Sequence, residues 1–166
     1  MDWSTVRRKA GTAALLAFRL TPNPIKRHVV RLAAPSYVAG AVCVLEHEGE
    51  VLVLWQPHRK GWSLPGGFLD KGEDPADAVR REVAEEVGLD IEAGDPVAVR
   101  VDASGQGIDV IFRVRLDHRP VLHLATEARK ARWVDPDDLT DADRNTLGIL
   151  ATLRAADAPR RPGRLA

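Results

Sequence analysis

Between Asp74 and Gly88 the sequence prescribes a helix with two faces of opposite character, and no other segment constrains the fold as tightly. Asp74 can accept from the first free amides, Pro75 suits the first helical position, and Gly88 suits the left-handed residue just past the end. Side chains on such a helix step by about 100° per residue. Val79, Val83 and Val87 therefore share one face, which needs a sheet to pack on. Glu82, Glu85 and Glu86 share a second face, with Ala78 among them leaving open space above it. Like charges at these spacings repel by roughly 0.2–0.5 kcal/mol per pair. On their own the three glutamates read either as a solvated surface or as a ligand set for a cation. Oxygen donors with no His or Cys nearby suit a hard ion, Mg²⁺ or alternatively Mn²⁺.

The rest of the chain supplies the sheet. Residues 37–45 and 51–55 read as apolar strands around a turn at 47–50. Residues 61–67 read as a loop containing Pro65-Gly66-Gly67. Strands are expected at 95–102 and 108–116, joined through Ser104-Gly105-Gln106-Gly107, and again near 131–134. A last helix is expected over 142–156, followed by a polar tail. Strands interspersed with helices place the chain in the α/β class, of α+β type, with a mixed sheet.

At 166 residues, 45% apolar and 29% charged, the chain reads as one globular domain with an appendage. Lys plus Arg equals Asp plus Glu, which argues against a nucleic-acid binder. The balance is uneven along the chain. Arg7, Arg8, Lys9, Arg19, Lys26, Arg27 and Arg31 stand against Asp2 alone in the first 36 residues, and the remainder carries the matching negative excess. Trp3, Val6, Ala10, Ala13, Ala17 and Leu20 recur at helical spacing, Thr21-Pro22-Asn23-Pro24 breaks the run, and a second helix follows over 25–33. The divisions expected are therefore a helical arm at 1–35, a domain at 36–156 and a flexible tail at 157–166. The arm would pack on the domain or join two copies as a homodimer, with contact to an anionic membrane surface as the minor alternative.

Cys43, the single cysteine, sits in an apolar run and reads as a small core residue, and the absence of a disulfide framework suits a reducing compartment. Arg7-Arg8-Lys9 followed by the apolar residues 10–18 has no A-x-A site after it, so no signal peptide and a cytoplasmic location are expected.

The run Gly67-Phe68-Leu69-Asp70-Lys71-Gly72-Glu73, seven residues, then Arg81-Glu82-Val83-Ala84-Glu85-Glu86-Val87-Gly88-Leu89 resembles the Nudix box, G-x5-E-x7-R-E-U-x-E-E-x-G-U, at every defined position. A chance match at any one start is on the order of 10⁻⁹. Trp62-Ser63-Leu64-Pro65-Gly66-Gly67 and Ala131-Arg132-Trp133-Val134 resemble the flanks of that family, so the likeness covers about residues 37–156. It implies a mixed sheet sandwiched between helices and a metal-dependent pyrophosphohydrolase acting on a small nucleotide substrate.

By the same resemblance, Glu82 and Glu86 would be metal ligands and Glu85 a further ligand or the base, with the Gly67 carbonyl as a backbone ligand. Arg81 would orient a glutamate, with Glu73 as its partner and Gly88 as a structural stop. Glu127 is the position chosen for a glutamate of a later loop that binds metal or acts as base. Arg59, Lys60 and His58 precede the box and could meet phosphate. Trp62 or Trp55 could stack on a base. His28, His47, His118 and His123 have no ligand spacing and read as structural. The substrate expected is a nucleoside diphosphate derivative: a nucleotide sugar, an ADP-ribose-like compound or a nucleoside triphosphate. Ala103-Ser104-Gly105-Gln106 lacks the proline frequent in the ADP-ribose branch, which weakens that choice. The alternative is a catalytically weak member of the same fold that binds or regulates.

Overall fold

A computed structural model of the chain describes residues 19–26, 35–125 and 127–159. The chain divides into two compact units, Met1–Ser36 and Tyr37–Ala166. In the first, residues 19–20 and 23–26 are helical on either side of Thr21 and Pro22. The remaining expectations for the arm, and those for the tail beyond 159, lie outside the described residues.

The second unit is built on a seven-stranded sheet. Its elements are β1 (Val38–His47), β2 (Glu50–Trp55), β3 (Trp62–Ser63), β4 (Gly66–Phe68), α1 (Pro75–Val87), β5 (Ala98–Asp102), β6 (Gly107–Arg115), β7 (Lys130–Val134) and α2 (Arg144–Asp157). The strand order is β3-β2-β1-β6-β5, with β4 paired to β1 and β7 to β2. β1 runs parallel to β6 from Val38 opposite Gly107 to Glu46 opposite Arg115, and the other strand pairs are antiparallel. The sheet is therefore mixed, as expected.

Helices cover both faces, which is why β1 is apolar without alternation. Ala41, Cys43 and Leu45 belong to a core shared with Val79, Val83 and Val87 of α1. Val42 and Val44 belong to a second core with Ile149, Leu150 and Leu153 of α2. Each fully buried valine contributes roughly 1.5–3 kcal/mol. Burial also pushes the Cys43 thiol up to about 12, so this thiol stays protonated and inert.

The bounds of α1 coincide with those read from sequence because both ends are capped. Asp74 accepts from the Ala76 amide at 2.9 Å, and Gly88 sits at φ 71°. The open space expected at Ala78 is not found. Ala78 has no exposed surface and joins the α1 core, against which Leu69 also packs, so the glutamate flank is covered there instead of open. Two short strands, β3 and β4, occupy the segment read as a loop. No helix among the described residues is long and apolar enough to cross a membrane.

Candidate active site

β4 brings the backbone of residues 66–68 alongside β1, with Gly66 opposite Val42 and Gly67 opposite Ala41. The approach requires glycine. A Cβ on Gly66 would lie 2.4 Å from the Ala41 carbonyl oxygen, and the φ of 140° belongs to glycine. A Cβ on Gly67 would lie 2.4 Å from Glu82 Oε1, so the missing side chain makes room for a carboxylate. α1 thus delivers Glu82 against the β4 backbone.

Glu86, one turn further on, is 8% exposed. Its Oε2 accepts from the Gly66 amide at 2.9 Å, and its Oε1 accepts from the Gln56 side-chain amide. Burial pushes this carboxyl up to about 7. The Gly66 and Gln56 hydrogen bonds pull the other way, Glu82 adds to the rise, and Arg59 opposes it. A buried carboxylate beside a second carboxylate is an electrostatic cost that a cation would offset.

Arg81 ties the helix to the loop before it. Its Nε and one Nη reach the two oxygens of Glu73 at 2.9 and 3.0 Å, and its other Nη reaches Glu82 at 2.7 Å and Glu85 at 3.4 Å. It also donates to the Phe68 carbonyl at 3.2 Å. Glu73 accepts in addition from the Asp70 amide at 2.8 Å. The Arg81 hydrogen bonds, aided by that amide, hold the Glu73 carboxyl down at about 2. The partnership expected of Arg81 and Glu73 is present, and Glu82 shares it.

These groups border a cleft of about 330 Å³. Gly67, Glu82, Glu86, Glu127, His58 and Arg59 line it. Arg59 donates to Asp143 at 3.3 Å, while its Nε is buried without a hydrogen-bond partner. Glu85 stands outside the lining, with its side chain 62% exposed. Lys60 and Trp62 also lie outside it. Trp62 packs edge-on against Trp55 at 5.8 Å, and the Arg132 guanidinium lies 4.3 Å from its ring centre, so the indole is engaged in packing. Gly88 takes the C-cap of α1, as expected.

A family model described as the NUDIX domain matches residues 35–153. The chain belongs to the NUDIX family. Among curated relatives of this Nudix chain is a CMP-5'-(N-acetyl-N-hydroxy-3-aminopropyl)phosphonate hydrolase of Streptomyces rubellomurinus. It is 30% identical over 158 residues, which cover 84% of this chain and 73% of the relative. The fold resembles the MutT protein of Methanosarcina mazei Go1, with a TM-score of 0.61 at 21% identity over 75% of this chain and 95% of that one. It also resembles a bifunctional NMN adenylyltransferase/ADP ribose pyrophosphatase of Francisella tularensis, solved with AMP and a Mn ion. There the TM-score is 0.59 at 19% identity, over 79% of this chain and 45% of that one. Nudix hydrolases split phosphoric anhydride bonds in nucleotide derivatives and generally use divalent metal ions, and this chain is an enzyme of that family.

The Nudix cleft fits such an ion in its donor chemistry. Among the described residues no three His, Cys, Asp or Glu side chains are gathered into a ready cage. Mg²⁺, however, is commonly held by one or two carboxylates plus water and substrate phosphates. Glu82 and Glu86 offer those two carboxylates in one cleft, and the space above Gly67 is filled by one of them.

Other residues that line the cleft belong to no motif in the sequence. Gln56 follows β2, Asp109 lies on β6, and Asn145 and Thr146 open α2. Arg100 of β5 braces two of them, reaching Asp109 at 3.1 Å and Asn145 at 2.6 Å. Gly148 makes room for it, since a Cβ there would lie 2.6 Å from that guanidinium. The one available signal was Gln56 itself, a polar residue closing the apolar run 51–55.

Proposed function

We propose that this enzyme is a Mg²⁺-dependent hydrolase that cuts the diphosphate bond of a nucleoside diphosphate derivative. The observation that carries the reading is the convergence of Glu82, Glu86, Gly67, Arg59 and Glu127 on one cleft. A divalent ion, when bound there, would neutralise phosphate oxygens and lower the pKa of a coordinated water. Glu82 and Glu86 would hold it together with the Gly67 carbonyl. Arg81, fixed by Glu73, keeps Glu82 against Gly67. The unpartnered Nε of Arg59 is a donor suited to a phosphate oxygen.

For the base that takes a proton from the attacking water, lining position favours Glu127 over Glu85. The polar far wall of Asp109 and Asn145, with Phe68 72% exposed at the rim, would take the nucleoside. A relative named for hydrolysis of a CMP conjugate supports a nucleotide-linked substrate.

The test is a substrate panel with Mg²⁺ or Mn²⁺, including CDP- and UDP-linked sugars, ADP-ribose, dinucleoside polyphosphates and 8-oxo-dGTP, scored for phosphate-bearing products. Cleavage at a diphosphate linkage is expected for at least one class. Cleavage of none, in protein shown to be folded, would overturn the proposal.

A further inference from the structure

Gln56 of the cleft wall forms a buried polar pair with Ser63, and both lie outside the Nudix box. Gln56 is 2% exposed and Ser63 has no exposed surface. Pairing of β2 with β3 sets Leu54 opposite Ser63 and so brings that serine beside Gln56. Ser63 Oγ lies 3.3 Å from Gln56 Oε1 and 3.4 Å from the Leu54 carbonyl oxygen. A hydroxyl has one proton to give. When it donates to Gln56, the amide oxygen is fixed toward the serine and the amide nitrogen toward Glu86, where it donates to Oε1. The Gly66 amide holds Oε2. Each oxygen of Glu86 thus has one fixed donor, and rotation of the carboxylate would break one or both bonds.

The kind of donor matters. Arg81 brings a positive charge, which Glu73 and Glu82 share. Gln56 orients Glu86 and brings none. An amide can pin a carboxylate while leaving its negative charge for a cation, whereas a Lys or Arg at residue 56 would compete for that charge.

We infer that Gln56 is a positioning residue for the metal site, holding the Glu86 carboxylate in a ligating orientation, with Ser63 setting the sense of the Gln56 amide. This rests on reading Glu86 as a metal ligand. Other Nudix enzymes need not share it, because Gln56 and Ser63 lie outside the box and reach Glu86 only through the fold of this chain.

The test measures Mn²⁺ binding directly, from the electron paramagnetic resonance of free Mn²⁺ titrated with metal-free protein. Activity is not needed for the readout. Gln56→Met keeps the side chain's length and removes the donor. It should weaken Mn²⁺ binding by about 10–100-fold, the usual cost of losing a partner of a metal ligand. Ser63→Ala should weaken it by about 2–5-fold, the worth of one neutral hydrogen bond, and Ser63→Thr should restore it. A merely structural role would lower the melting temperature and leave the affinity of the folded protein unchanged. Wild-type affinity in folded Gln56→Met would overturn the inference. If that variant does not fold, equal affinity of Ser63→Ala and wild type would do so. Failure of the wild type itself to bind millimolar Mn²⁺ would instead strike the metal-ligand reading beneath it.

Discussion

Two adjacent glycines show how much of the site is decided by single residues. At Gly66 an added Cβ meets backbone, 2.4 Å from the Ala41 carbonyl oxygen, at a φ of 140°. At Gly67 it meets the end of a flexible side chain, Glu82 Oε1, at the same separation. The consequences should differ in kind. Gly66→Ala is expected to destabilise the fold by about 2 kcal/mol or more, because neither the backbone conformation nor the β1 strand can yield cheaply. Gly67→Ala should melt close to wild type but lose roughly 10²-fold in kcat/KM, because the carboxylate is moved and the fold is not. Melting curves and steady-state rates on the two variants check the pair. A large stability loss at Gly67 with activity retained per folded molecule would contradict the cradle described for Glu82.

At the scale of elements, α1 was the most legible part of the sequence. Its caps are local, its valine period is local, and Glu73, Arg81, Glu82, Glu85 and Glu86 lie within one turn-and-helix stretch. What local reading could not supply was the flank on which Ala78 is covered, since that depends on the chain packed around the helix. Nor could it supply β3 and β4. Strands of two and three residues show no period, and pairing with β2 and β1 is what makes them strands.

The link from α1 to its preceding loop makes an acid prediction. Glu73 titrates at about 2 in the folded state against an ordinary value of 4.5. A carboxyl depressed on folding contributes stability that is complete above 4.5 and is lost as the pH falls toward 2. The urea midpoint of wild type should therefore exceed that of Glu73→Gln near neutrality, and the gap should close progressively below pH 4.5. A gap independent of pH would remove the ion pair with Arg81 from the account of α1.

Over the whole molecule, the sheet collects into one cleft residues that the sequence scatters. The box supplies Gly67, Glu82 and Glu86, Gln56 follows β2, β6 contributes Asp109, and the start of α2 contributes Asn145 and Thr146. Helix geometry alone made Glu82, Glu85 and Glu86 readable as one face, while Gly67 and Glu73 before the helix, and the reading of the set as a metal site, followed from the resemblance to the Nudix box. The far wall was not readable, because Arg100, Asp109 and Asn145 meet only once β5, β6 and α2 are packed, and no local pattern announces that meeting. The same long-range packing places Lys60 and Trp62 outside the cleft while bringing Arg59 into it.

Glu86 stands where the two halves of this organisation join, on the box helix yet held by β4 and by the residue after β2. The rate of diphosphate cleavage by wild type and Glu86→Gln, measured across a Mg²⁺ titration and again in excess chelator, tests the proposed metal site most directly. Wild-type activity should rise with Mg²⁺ and vanish with chelator, and Glu86→Gln should fall by about 100-fold or more in kcat/KM. Equal rates for the two proteins, or wild-type cleavage that persists in chelator, would contradict it.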